Sequence, residues 1–277
     1  MRPAVAAALL MFALGGCAPM APVPDLPARV AALLPADAIL LGEQHDAPEH
    51  QQIERDVVAL LAARGTLSAV VLEMAPRGGS TAGLSPAATE AQAREALQWD
   101  EGAWPWPTYA SPVMAAVRAG VLVAGGNLPR TAMRSAMADL RLDGTLPPGA
   151  LAAQHEAVRE GHCGLLPETQ IAPMARVQIA RDESLAQTVA QLASPGKTVL
   201  LMAGAMHVDR AAGVPLHLPA ALRTRAVALR ADDGTAEAEP ALHIDAAWHT
   251  PKVPPKDYCA QVRPGSAPAG GVDTPRP

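Results

Sequence analysis

Runs of apolar residues without polar alternation recur along the chain at 38–42, 68–74, 121–125, 197–204 and 225–229, with a sixth candidate at 242–247. Runs of this length read as strands buried on both faces, as in parallel sheets. Between them the period lengthens. Over 49–64, Ile53, Val57, Leu60 and Leu61 recur at helical spacing, and Gly65 stands where a helix would stop. Helices are also predicted over 28–34, 86–97, 112–119 and 131–140. His50 and Glu54 share one side of the 49–64 helix; the strand-to-helix junction makes them candidates for a site, and the simpler reading is a solvated face. The segment 99–109 holds Trp99, Trp104, Trp106 and Tyr109 with Pro105 and Pro107 among them, which predicts a non-helical segment, either a stacking surface for a flat apolar ligand or, the simpler reading, bulky packing at a helix-poor corner. Alternating strands and helices predict an α/β fold with a mostly parallel central sheet flanked by helices. Residues 144–193 break the alternation. Pro147, Pro148, Gly149, Gly161, Gly164 and Pro167 lead into a helix over 168–193, continuous or broken at Pro173. This block predicts a helical lid inserted between the third and fourth strands.

Two of the strands stop at the same pattern, Gly42-Glu43-Gln44-His45 and Gly204-Ala205-Met206-His207. Ligands gather at the carboxyl ends of strands in open α/β sheets. In extended backbone Glu43 and His45 share a face, their Cα atoms about 6.5 Å apart. The second strand ends at Glu73, and the third at Asn127 with Arg130 beyond it. Any one of these is most simply a hydrogen-bonded strand-end residue. Six at equivalent positions predict one site. His and carboxylate donors suit a divalent metal such as Zn, Mn or Fe, or acid–base work without one. His-Glu-x-x-His, Gly-x-Ser-x-Gly and Cys-x-x-Cys-His are absent from the sequence, and Gly78-Gly79-Ser80 lacks the ending of a phosphate loop.

Composition changes the picture at the ends of the chain. Met1-Arg2, the apolar stretch 4–14 and Leu14-Gly15-Gly16-Cys17 read as a secretory signal over 1–16 that ends like a bacterial lipobox, with Cys17 the acylated residue. Ala18, where an inner-membrane retention signal would place Asp, points to the outer membrane. Residues 17–27 read as a Pro-rich tether, 28–262 as the folded domain and 263–277 as a disordered Pro/Gly-rich tail. A net charge of −5 and a pI near 5.9 argue against nucleic acid as partner. Beyond Cys17 the chain has two cysteines, Cys163 and Cys259. An oxidising compartment favours a disulfide that closes a loop of about 97 residues, stabilising by roughly 4–5 kcal/mol in the chain-entropy model. The competing reading makes Cys163, beside His162, a soft ligand or a nucleophile.

Leu41-Gly42-Glu43-Gln44-His45-Asp46, Leu72-Glu73-Met74, Trp104-Pro105-Trp106 with Tyr109, Asn127-Leu128-Pro129-Arg130, His162-Cys163-Gly164 and Gly204-Ala205-Met206-His207 follow in this order. The series, over about 36–230, resembles the ChaN-like lipoproteins, iron-regulated haem-binding proteins of the outer membrane. These are grouped with the Tiki/TraB-like proteins and the erythromycin-esterase-like hydrolases. The resemblance implies an α/β core with a helical lid, a role in iron or haem uptake, a homodimer with haem at its interface, and an outer-membrane haem receptor as partner. It also implies haem held by a Tyr with a His in support. This chain has only Tyr109 and Tyr258, and none in 168–193, so His155, His162 or Met174 stand beside Tyr109 as expected haem ligands. The hydrolase relatives imply the alternative, a metal-dependent hydrolase using Glu43, His45, Glu73 and His207.

Overall fold

Along each central strand, alternate residues serve opposite faces of one sheet. Ile39, Leu41, Val70, Leu72, Leu200, Met202, Val227 and Leu229 belong to the apolar core on one face. Ala38, Leu40, Val71, Val199, Leu201 and Ala203 belong to the core on the other. Both faces are covered, which is why the strands read as unbroken apolar runs. The computed structural model describes residues 25–232 and 242–260. In chain order it has α1 (Leu26–Leu33), β1 (Ala38–Glu43), α2 (Pro48–Ala63), β2 (Leu67–Pro76), α3 (Glu90–Ala96), α4 (Trp106–Arg118) and β3 (Leu122–Asn127). There follow α5 (Met133–Ala138), α6 (Pro148–Gly161), α7 (Glu168–Leu192), β4 (Thr198–Gly204), β5 (Thr224–Arg230) and β6 (Ala246–His249). The signal segment, Cys17, most of the tether and nearly all of the tail lie outside the described residues. No helix among the described residues is long and apolar enough to cross a membrane.

The six strands form one sheet in the order β3-β2-β4-β1-β5-β6, and each described pairing is parallel. Parallel neighbours need crossovers, and the faces these take decide where a site can form. After β1 the chain crosses through α2, whose Val57, Val58 and Leu61 join the first core. After β4 it enters 3-10 turns at Ala205–Val208 and Val214–His217, and Val208 and Val214 join the second core. β1 and β4 are adjacent and their continuations diverge to opposite faces. The crevice between their carboxyl ends is a topological switch point, where ligands of open α/β sheets bind.

Three local expectations need correction. The helix expected over 112–119 starts earlier, at Trp106, inside the segment read as non-helical, because Pro107 sits in the first turn, where its missing N–H has no helical partner to lose. The helix expected over 131–140 is shorter. It runs Met133–Ala138 and breaks at Asp139, whose carboxylate accepts the Arg141 N–H at 3.1 Å and starts a 3-10 turn. The sixth strand starts at Ala246 rather than 242, because the Asp245 carboxylate takes the Ala226 N–H at 2.6 Å in place of a ladder bond. α7 is continuous through Pro173.

The inserted helical block divides in two. The first half of α7 packs with α5 and α6 around small cores of its own, Val177 and Ile179 with Ala136, Leu142 and Ala150, and Ile171 and Ala175 with Val158. The second half lies on the sheet, with Leu185, Ala186 and Val189 in the second core. The sulfurs of Cys163 and Cys259 are bonded, 2.02 Å apart. This ties the segment after β6 to the turn between α6 and α7, and Cys163 carries no free thiol.

If the second half of α7 is core, Leu185→Ala should lower the unfolding free energy by about 2–5 kcal/mol. Leu140→Ala, at a residue 69% exposed, should stay within about 0.5 kcal/mol. Urea denaturation of the two variants checks the contrast.

Candidate functional site

The two Gly-x-x-His stretches meet at the switch point, and each glycine makes room for the other stretch. A Cβ on Gly42 would come within 2.5 Å of Val208 Cγ2 and 2.8 Å of Ala205 Cα, so the turn after β4 closes on β1 only over a bare Cα. A Cβ on Gly204 would lie 3.0 Å from His45 Nε2 and 3.6 Å from Glu73 Oε2. The sequence pattern is thus a packing requirement that brings Glu43, His45, Glu73 and His207 to one place.

Two hydrogen-bonded groups result. In the first, His45 Nδ1 lies 2.8 Å from Glu43 Oε1, and the Tyr109 hydroxyl donates to the same oxygen at 2.9 Å. Gln51 Nε2 donates to Glu43 Oε2. Glu43 is buried, and the His45 ring rests edge-on against Trp104 at 4.8 Å. Burial opposes charge on His45, but the Glu43 hydrogen bond and the Glu73 and Glu43 charges outweigh it and raise its pKa. Burial, with Glu43 beside it, pushes the Tyr109 phenol above its usual value. Behind this group lies Glu54, fully buried, neither oxygen hydrogen-bonded among the described residues. Burial and then the Glu43 charge push its carboxyl well above the usual range.

In the second group His207 is held between two carboxylates. Its Nδ1–H donates to Asp182 Oδ1 at 2.6 Å, and its Nε2 lies 3.3 Å from Glu73 Oε1. Glu73 Oε2 accepts the Gly204 N–H at 2.7 Å, and Gln154 Nε2 reaches Asp182 Oδ2 at 3.3 Å. Burial works against the His207 charge, yet Glu73 and Asp182 hold its pKa well above the ordinary imidazole value. Burial would raise Glu73, but the His207 charge and hydrogen bond, then His45 and the Gly204 N–H, hold it far below the carboxylate range. With both nitrogens facing carboxylates, His207 is an imidazolium and offers no lone pair.

That settles how the expected metal quartet is used. Glu43, His45, Glu73 and His207 do come together, but as partners of one another. Among the described residues no three His, Cys, Asp or Glu side chains form a group that could hold a metal ion. A divalent metal centre is not supported by this donor set, and the hydrolase reading built on it is not favoured. Asn127 is a scaffold residue, its Nδ2 donating to the Glu73 carbonyl at 2.8 Å. Arg130 lies on the surface with Asp100.

The expected haem ligands scatter. Tyr109 is buried under Glu43. Met174 packs between α6 and α7. His155 lies part-buried on α6, its Nε2 without a partner among the described residues. His162 donates from Nδ1 to the Val158 carbonyl at 2.8 Å and lines a cavity of about 290 Å³ with Asp182 and His207. A larger cleft of about 610 Å³ opens on the other side of Met206 and His207. Glu43, His45, Leu229, Arg230 and Tyr258 line it.

Sequence reading missed Asp182, Gln51, and the burial of His50 and Glu54, which it placed on a solvated face. His50 accepts the Gln44 N–H on Nδ1 and reaches Thr250 Oγ1 with Nε2, so it is a neutral buried strut. The signal was present: Glu54 precedes Val57, Val58 and Leu61 at helical spacing, and Asp182 precedes Leu185, Ala186 and Val189 in the same way.

A histidine whose folded pKa is raised adds stability that is complete below the ordinary imidazole pKa and lost as pH rises through the raised value. Nitrogen-15 NMR should therefore show His207 protonated on both nitrogens at pH 8, where an unperturbed imidazole of pKa about 6.5 is neutral. A neutral tautomer at that pH would contradict the paired-imidazolium reading.

No curated protein matches the sequence. A solved structure of ChaN from Campylobacter jejuni, reported for cofacial haem binding, superposes with a TM-score of 0.62 at 23% identity. The match covers 76% of this chain and 87% of that one, and at this identity it shows the fold. A family model described as haem-binding uptake, Tiki superfamily, ChaN, matches residues 29–218. That span is more than half of the chain, and with it the protein belongs to the ChaN family of the Tiki superfamily.

Proposed function

We propose that this chain binds haem at the bacterial outer membrane, anchored through an acylated Cys17, and serves haem or iron uptake. The observation that carries this reading is the family match over residues 29–218. The chemistry of the donor set is compatible with it. Haem brings four nitrogens to its iron, so the protein needs to supply only one or two axial ligands, and a chain without a three-residue cation site can still hold it. The cleft of about 610 Å³ is of the size that takes cofactors and drug-sized ligands, about 300–1,000 Å³. Ala228, Leu229 and Leu242 give it apolar surface and Arg230 a cation. Haem bound there is cargo, an iron-bearing ligand to be received and released. A homodimer and an outer-membrane haem receptor as donor or acceptor belong to the same reading.

Titrating the purified chain with ferric haem should give a saturable Soret shift at micromolar concentration; an unchanged haem spectrum would remove the reading. Cells fed an alkyne fatty acid should label the wild type and not Cys17→Ala. Equal labelling of the two would remove the anchor.

A further inference from the structure

The haem-binding reading leaves open which residue meets the iron, and the histidines of the described chain differ sharply in what they can offer. An axial histidine needs one nitrogen fixed by a hydrogen bond and the other carrying a lone pair toward a ligand-sized space. His50 uses both nitrogens internally, and His207 faces a carboxylate with each. His155 and His217 each keep an Nε2 without a partner among the described residues, but neither lines either cavity, while His243 and His249 stand on the surface with Asp209 and Asp232. His162 has the right tautomer, but its cavity of about 290 Å³ is less than half the size of the strand-end cleft.

His45 meets each requirement. Its side chain is 39% exposed and lines the larger cleft. Its Nδ1 is fixed to Glu43 Oε1 at 2.8 Å, and among the described residues Nε2 has no hydrogen-bond partner. Glu43 is itself immobilised by Tyr109 and Gln51, and Trp104 holds the ring from the side. Nε2 lies over the bare Cα of Gly204, which also lines the cleft. This is the carboxylate–histidine arrangement that orients a ligating imidazole and raises its basicity. Arg230, on the same cleft, is a guanidinium suited to a carboxylate.

Resting on the haem-binding reading, we infer that haem sits in the strand-end cleft with its iron on His45 Nε2, positioned by Glu43, and a propionate on Arg230. The Nε2 lone pair forms the bond to ferric iron, a water or hydroxide leaves the iron, and any proton on Nε2 passes to solvent. No electron moves. Tyr109 and Gln51 are positioning residues that act through Glu43.

The test is a ferric-haem titration of the disulfide-intact full chain, with pulsed EPR on wild type labelled with nitrogen-15 histidine. A histidine nitrogen should couple to the iron. Loss of an outer partner of a ligating histidine costs about 10–100-fold, so His45→Ala should weaken binding at least about tenfold and move the Soret band. His45→Gly with added imidazole should recover the wild-type spectrum. Wild-type binding with no histidine coupling overturns the assignment however the variants fold. So does a His45→Ala chain with wild-type affinity and spectrum, or a loss confined to His162→Ala. A wild type that binds no haem overturns both this inference and the functional reading beneath it.

Discussion

A buried imidazolium between two buried carboxylates joins three parts of the chain that are otherwise far apart. His207 follows β4, Glu73 lies near the carboxyl end of β2, and Asp182 lies midway along α7. Removing any one leaves uncompensated charge in the interior, a cost of several kcal/mol. The cluster therefore fixes where α7 lies on the sheet and where the turn after β4 can run. That turn sets Gly204 and Met206, and with them one side of the cleft. The Glu43 group depends on the same closure, because His45 packs where Gly204 has no side chain.

The sheet was legible from the apolar runs, since strands covered on both faces leave no other pattern. The convergence of Glu43, His45, Glu73 and His207 was legible from their shared position at strand ends. What the residues do there was not. Whether a His at a strand end is a lone-pair donor or a cation depends on its second nitrogen, and Asp182 lies on a helix the sequence presents as part of a lid. His50 and Glu54 were misplaced for a related reason. Polar residues on an apolar helical stripe read as solvated until a neighbour covers them. Tyr109 was read as a ligand on family grounds; its position on α4, in step with Val113 and Val117, puts the phenol in the core against Glu43.

This division explains how a site built from His and carboxylates can be poorly suited to a bare cation yet open to haem. A bare divalent ion asks the protein for several convergent lone pairs, and here those lone pairs face donors within the protein. A macrocycle brings its own equatorial donors and asks for one axial atom and an apolar slot. His45, with one nitrogen committed and one not, sits at the edge of the network rather than inside it.

The bond between Cys163 and Cys259 reaches further than the two helices it adjoins. Residue 259 leaves the ribosome 96 positions after its partner, behind every strand of the sheet, and its neighbour Tyr258 donates a hydrogen bond to Asp46 at the rim of the cleft. Residues 251–260 are largely exposed and bury little apolar surface of their own. The placement of Tyr258 on the cleft thus relies on an oxidation step as well as on folding. Without that bond Tyr258 would be held to the rim of the cleft by its contact with Asp46 and little else.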